Sequence, residues 1–264
     1  MTADYRPPRF WEQFRIQLRV IWALVMREMI TRFGREGLGV LWLLAEPAMF
    51  IVGVMIILSQ MEKIPRYPVA EYLAVSYPTV LFWRNTTGRV TKAIESNRTL
   101  LHHKPIRPLD IMYSRIILEF AGASASFLVL YVVFVAIGIC QLPNDLLTMI
   151  LGYFLLMWFS FNFVMTMGAL SELSETVERV SHIILYLAIP FSGVFLPTYI
   201  LPPHIAELMT YYPLIDAVEY LHHGYYGDRM PTLYHLDYTV AVLSFFTLFS
   251  LSLAHVAVKR VQLS

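Results

Sequence analysis

An all-α polytopic membrane protein with six transmembrane helices is the fold class this sequence predicts, and three observations predict it. Hydrophobic residues make up 57% of the 264 positions and charged residues only 15%, whereas a soluble domain carries about half and about a quarter. Apolar residues gather into runs long enough for about 30 Å of hydrocarbon, which takes roughly 20 helical residues. Basic residues concentrate in the N-terminal third, a local asymmetry that the formal net charge of +1 conceals. The single cysteine, Cys140, excludes an intramolecular disulfide and any cysteine-based metal cluster.

Residues 1–9 are polar and proline-containing, as a cytosolic tail would be. Between Phe10 and Phe33 the apolar residues Phe14, Leu18, Ile21, Val25, Met29 and Phe33 recur every three or four positions, which predicts an amphipathic interface helix over 10–33. Its arginines would meet headgroups while Trp11 and Trp22 sit at the boundary; packing on the protein's own loops is the alternative. A secretory signal peptide is set aside, because the apolar core Val20–Met26 is short, no small-residue cleavage site follows and charge resumes at Arg27.

The first span is expected at 38–60, directly after Arg27, Arg32 and Arg35, with Glu46-Pro47 inside it. The second, at 70–92, opens as an apolar run at Tyr72–Trp83 and continues into Arg84, Asn85, Thr86, Thr87, Gly88 and Arg89. Hydrocarbon does not accept those groups. Either the span is thin and ends near Trp83, or the helix continues with its polar half turned to protein or water; the second reading is preferred. The connection Ala93–Asp110, with Arg98, Lys104 and Arg107, belongs to the most basic loop in the chain and is therefore placed in the cytosol. A short helix over 93–103 should end at Pro105, and Leu100-Leu101 beside charged residues makes it either a docking surface or a solvated loop.

Spans three and four are expected at 111–139 and 146–170. Arg115 and Glu119 stand one turn apart and would pair, and the small residues Ala121–Ser126 would let another helix approach closely. An acidic turn, Ser171–Arg179, returns the chain to the cytosolic side. A fifth span at 180–196 contains Pro190. Pro197, Pro202, Pro203 and Pro213 then break an apolar stretch, 197–235, into short pieces. That pattern predicts re-entrant outer helices between spans five and six, because non-helical backbone at membrane depth must be covered by protein. The sixth span, 238–258, ends at Lys259-Arg260, so both termini are expected in the cytosol.

Chemistry is sparse in this sequence. It contains no GxxxxGK[ST] loop, no HExxH and no GxSxG, so no common ATPase or hydrolase site is written in it. The pairs His102-His103 and His222-His223 fall on opposite sides of the membrane in this topology, and no metal is expected. Glu46 is either a functional carboxylate inside a span or an interfacial group paired with a neighbouring arginine. A Tyr- and Phe-rich membrane protein without a reaction site suggests passage of a substrate; Arg84, Arg89 and Lys92 would place positive charge at its cytosolic mouth, and Trp83 and Glu46 complete the candidate pathway set.

Three stretches together are more specific than any one of them: REMITRFGREGLGVLWLLAEP at Arg27–Pro47, AIESNRTLLHHKPIRPLD at Ala93–Asp110, and YYPLIDAVEYLHHGYYG at Tyr211–Gly227. Over nearly the whole chain and in the same order, they resemble the membrane subunit of ATP-binding-cassette exporters of surface polysaccharide, most closely the capsule-polysaccharide permease branch. The resemblance implies an inner-membrane homodimer of six-span subunits joined to two separate cytosolic ATPase subunits. These partners would bind ATP and magnesium, and this chain would hold no cofactor and no active site of its own. It further implies periplasmic and outer-membrane export partners, a surrounding lipid bilayer, no nucleic acid, and a coupling helix between spans two and three. Glu95, Asn97, Arg98, Leu100, Leu101 and His102, with Glu172 and Glu175 of the acidic turn, are the candidate contacts to the ATPase. Gly34, Gly37 and Gly39 are candidate hinges between the interface helix and the first span. O-antigen or teichoic-acid-type glycans are alternative substrates, and an intramembrane enzyme acting on lipid-linked sugars is the alternative from another class.

Overall fold

A computed structural model describes residues 10–33, 38–59, 68–91, 93–102 and 106–263. Among them every regular element is helical. Helix α1 covers Phe10–Phe33, α2 Leu38–Ser59 and α3 Val69–Val90, and a short 3-10 helix follows at Glu95–His102. Then come α4 (Pro108–Ala136), α5 (Leu146–Leu173), α6 (Glu175–Ala188), α7 (Pro203–Thr210), α8 (Pro213–Tyr226) and α9 (Leu236–Leu263).

Local chemistry sets several of these boundaries. Pro108 opens α4 while the Asp110 carboxylate accepts the Arg107 amide at 2.8 Å, so the fixed proline φ and a carboxylate at the positive helix end act together. At the start of α5 the Asp145 carboxylate accepts the amides of Leu147 (3.0 Å) and Thr148 (3.3 Å) and the Thr148 hydroxyl. Those bonds, the Thr148 hydroxyl first, hold its pKa below the usual carboxylate value. Pro203 and Pro213 open α7 and α8, because a proline at a first helical position costs no internal hydrogen bond.

The bundle is centred on α5. Half of its apolar stretch is buried within the chain, against 28% for α4 and 22% for α9, so most of those two helices faces away from the rest of the chain. These three are the described helices long and apolar enough to cross a membrane. Inside the bundle, α5 and α9 are tied by polar groups: Trp158 Nε1 donates to Thr247 (2.8 Å), Asn162 donates to the Leu243 carbonyl (3.2 Å), and Ser250 donates to Asn162 (3.2 Å). Such bonds matter in membranes because lipid supplies no competing hydrophobic force between helices.

Helix α3 runs unbroken through Arg84 to Val90 and is buried from Glu71 to Trp83. Its Ser76, Thr86 and Thr87 hydroxyls bond carbonyls one turn back, so these buried hydroxyls are satisfied within the helix, while Arg84 and Asn85 are half-buried and Arg89 is exposed. The acidic stretch differs from expectation. Only Ser174 is non-helical between α5 and α6; its extended backbone ends one helix and its carbonyl accepts the amides of Val177 and Glu178 to begin the next. The helix at the expected fifth span, α6, therefore starts five residues earlier than expected and stops at Ala188, before Pro190. At 14 residues it is about 21 Å long, shorter than a bilayer core.

Candidate functional site

Two charged layers stand out, one within the bundle and one at the end where α3, α4 and α1 meet. The first is centred on Arg84, six residues before the end of α3. Its guanidinium faces the Glu46 carboxylate of α2 at 3.3 Å, with side-chain exposures of 22% and 31%, and lies 5.3 Å above the Tyr186 ring of α6. Behind the pair a crevice of about 30 Å³ is lined by Glu46, Pro47, Pro78, Asn85, Glu119 and Ser126, among others, enough for one or two waters. Both helices carry an internal proline here, Pro47 in α2 and Pro78 in α3, which removes one backbone donor from each. One turn further on, Arg89 pairs with Glu119 of α4 at 3.0 Å. Helix α3 is thus held by an ion pair on each side.

The second layer is a joint organised by Arg115 of α4. One nitrogen donates to the Arg89 carbonyl at the end of α3 (2.5 Å), another to the Ser96 hydroxyl of the 95–102 helix (3.1 Å), and Nε faces Glu28 of α1 at 3.7 Å. Beside it Arg27 donates to Asn97 (3.1 Å), and Gln17 bonds Asp110. A small apolar cluster, Leu24, Ala93 and Ile111 with Leu100 and Leu101, closes the same junction. Ser171 near the end of α5 donates to the Thr91 carbonyl (3.3 Å). The expected Arg115–Glu119 pair gives way to contacts between helices: Arg115 turns to Glu28 of α1, and Glu119 turns to Arg89 of α3.

The other residues singled out from the sequence fall in several places. Trp83 is 2% exposed and packs edge-on against Phe163 of α5, so within the single chain it is a core residue. Lys92 lies outside the described residues. Asn97 is buried and bonds Ala93 and Arg27, while Leu100 and Leu101 are half-buried on the protein's own surface; Glu95 is exposed. The side chains of Arg98, His102 and Glu175 are outside the described set, and Glu172 is half-buried. Gly34 and Gly37 also lie outside it, and Gly39 sits in the first turn of α2. On α1, Phe10, Trp11, Phe14, Leu18, Trp22 and Ile30 are exposed, whereas Leu24 and Val25 are buried. The expected single apolar stripe is therefore divided between an open face and one packed on the protein.

Sequence reasoning missed the polar framework of the outer segment. Buried Glu219 of α8 accepts the amides of Thr198 (3.0 Å) and Leu233 (3.3 Å). Buried Asp216 accepts the His235 amide (2.6 Å) and the Thr239 hydroxyl (2.8 Å). At the start of α3 the Tyr225 hydroxyl donates to Glu71 (2.6 Å), with Arg229 at 3.7 Å from the same carboxylate. The signal that could have found them was the i, i+3 spacing of Asp216 and Glu219 on one helical face between proline-broken segments. Among the described residues no group of three or more histidine, cysteine or acidic side chains could hold a metal ion.

The family profile described as "ABC-2 type transporter" matches residues 19–223. The capsule polysaccharide export inner-membrane protein CtrC of Neisseria meningitidis serogroup B is 31% identical over 255 residues, 96% of each chain. The capsule polysaccharide export inner-membrane protein BexB of Haemophilus influenzae is 32% identical over 233 residues, 88% of each chain. The polysialic acid transport protein KpsM of Escherichia coli is 24% identical over 208 residues, 78% of this chain and 81% of that one.

Proposed function

Because this chain belongs to the ABC-2 type transporter family, we propose that it is the membrane subunit of an ATP-driven exporter of capsular polysaccharide in the bacterial inner membrane. One observation carries the reading: similarity to capsule-export proteins runs end to end, over 96% of both chains, and not over an isolated motif. Deleting the gene should leave polysaccharide inside the cell and strip it from the surface, with the plasmid-borne chain restoring it. Unchanged surface polysaccharide in the deletion strain would sink the proposal.

In this reading six spans cross the bilayer, α7 and α8 form the re-entrant outer segment, and both termini are cytosolic. Two copies associate with two ATPase subunits, which bind ATP and magnesium, and periplasmic and outer-membrane proteins carry the polymer onward. The Glu46–Arg84 pair supports placing the conduit along α2, α3 and α6. An ion pair left 22–31% exposed inside a membrane is costly against lipid and tolerable against water or a second subunit. Arg84, Arg89 and Lys92 then draw an anionic glycan toward the path, and Gly34, Gly37 and Gly39 provide the hinge between α1 and α2.

Force enters through the 95–102 helix and the Glu172–Glu178 region. Exposed Glu95, with Arg98 and His102, would meet the ATPase, while Asn97, Leu100 and Leu101 hold the short helix to α1 and α4. Charge pairs at such a surface fix orientation more than they add affinity. Arg115 makes the joint rigid enough to transmit motion, since its planar fork serves three elements where a lysine ammonium is a single point. Arg115→Ala should uncouple the machine, lowering export severalfold while the partner still hydrolyses ATP. Loss of a charged hydrogen bond costs about 1.5–3 kcal/mol, so the melting temperature should fall as well, and Arg115→Lys should recover stability better than export. Export and ATP consumption that remain in wild-type ratio in Arg115→Ala would remove the joint from the coupling path.

A further inference from the structure

We propose that the Glu46–Arg84 pair is an exchange site, at which an oxyanion of the exported molecule displaces the Glu46 carboxylate from Arg84. The proposal rests on the export reading and adds to it the chemistry of recognition: the ligand is a phosphate or carboxylate group carried by the passing glycan or its lipid end.

Four features of the site support exchange over a permanent latch. The ion pair is single-pronged, one nitrogen against one carboxylate oxygen at 3.3 Å, longer than the 2.7–2.9 Å of a strong charge-assisted bond. A guanidinium presents five donors in a fork suited to two oxygens, so a phosphate or carboxylate approaching the open side finds a better fit than Glu46 provides. Both side chains are partly exposed, and the Tyr186 ring, 63% exposed and 5.3 Å from the guanidinium, adds an aromatic wall beside the approach.

The fourth feature is the destination of the displaced group. Glu46 also lines the crevice with Asn85 and Ser126, whose amide and hydroxyl, or a water they hold, can solvate a carboxylate in its otherwise largely apolar wall. Glu119 on that crevice is neutralised by Arg89 at 3.0 Å, so the displaced charge does not enter a uniformly acidic space. Tyr77 of α3 stacks its ring on Phe50 of α2 at 3.9 Å, which holds together the two helices that carry the pair.

The test uses the intact transporter, this chain with its ATPase partner, in phosphatidylcholine nanodiscs, and reads ATP hydrolysis against two oxyanion probes. One arm adds phosphatidic acid to the bilayer, and the other adds a soluble sialic acid oligomer. A response to the lipid alone assigns a lipid-borne phosphate, and a response to the oligomer alone assigns a glycan carboxylate; either supports an oxyanion site. Removing the competing charge in Glu46→Gln should lower the half-maximal probe concentration about tenfold, and Arg84→Gln should abolish the response. The charge-swapped Glu46→Arg, Arg84→Glu protein guards against misfolding: it keeps a pair, so it should melt like wild type and still respond poorly. If Glu46→Gln titrates like wild type, or if the swap restores full response, the pair is a structural latch and exchange is overturned. Failure of exchange leaves the export reading intact so long as the deletion strain lacks surface polysaccharide. A wild-type transporter indifferent to both probes overturns exchange as well.

Discussion

Gly224→Val is expected to prevent accumulation of folded protein. A Cβ at position 224 would overlap the Met149 backbone nitrogen far inside van der Waals contact, and one at Gly152 would stand 2.5 Å from Leu221 Cα. Both obstacles are backbone, so no rotamer change relieves them. The two glycines lie on facing helices, α8 and α5, and each lets the other helix's backbone come close, the use of small residues that membrane helix packing favours. Overpacking a tight core costs about 1–3 kcal/mol for small increments, and separating these helices also loosens Leu155, Leu214 and Leu221 of the main core. Gly152→Ala should destabilise measurably and Gly224→Ala at least as much. Because the sites share one interface, the double variant should depart from additivity. The check is the folded fraction by size-exclusion chromatography and thermal melting in detergent; a Gly224→Val protein that melts like wild type would contradict the packing described.

Glu219→Ala is expected to have the second largest effect. The carboxylate is fully buried and serves as acceptor for two backbone amides, Thr198 at 3.0 Å and Leu233 at 3.3 Å. Thr198 is the first residue of a short 3-10 turn before α7 and Leu233 lies in irregular chain after α8, so neither amide has a backbone partner within its own element. Each orphaned amide costs about 1–3 kcal/mol, so alanine should lower stability by roughly 2–6 kcal/mol before the cavity is counted. Glutamine keeps the shape and one acceptor but turns a donor toward the other amide, and should fall between wild type and alanine. Asp216→Asn should behave like Glu219→Gln, because its carboxylate also serves two donors, the His235 amide and the Thr239 hydroxyl. Melting curves together with protease sensitivity of the 197–235 segment give the measurement. Equal stability of Glu219→Ala and wild type would show that those amides find other partners.

Both predictions concern features that a linear reading does not expose, and the contrast with what it did expose is informative. The helices α4, α5 and α9 were legible because a long apolar run has one inexpensive fate, a helix that satisfies its own backbone. The breaks before α7 and α8 were legible because proline acts on its immediate neighbours. The continuation of α3 through Arg84 to Val90 required a further step, that polar residues in a span must face protein, and the ion pairs with α2 and α4 supply that protein. The boundary between α5 and α6 was read too broadly, since a single extended serine breaks the helix and three glutamates near it do not. Family resemblance was also carried in the sequence, in the ordered stretches at 27–47, 93–110 and 211–227.

Partnership was not legible. Arg115 and Glu119 stand one turn apart, the spacing at which a helical pair is expected, yet each is claimed by a charge on another helix. Gly152 and Gly224 carry no local signal that separates them from other glycines; their meaning is the arrival of Leu221 and Met149. Glu46 and Arg84 are 38 positions apart, and Glu71 and Tyr225 are 154 apart. The sequence by itself determined which segments are helical and apolar, and so that the chain is a membrane bundle, because burial and backbone pairing are local or compositional costs. Only the tertiary structure decided which charges neutralise one another, which glycines are indispensable and which carboxylates cap the outer backbone, because those energies depend on distances between residues far apart in the chain.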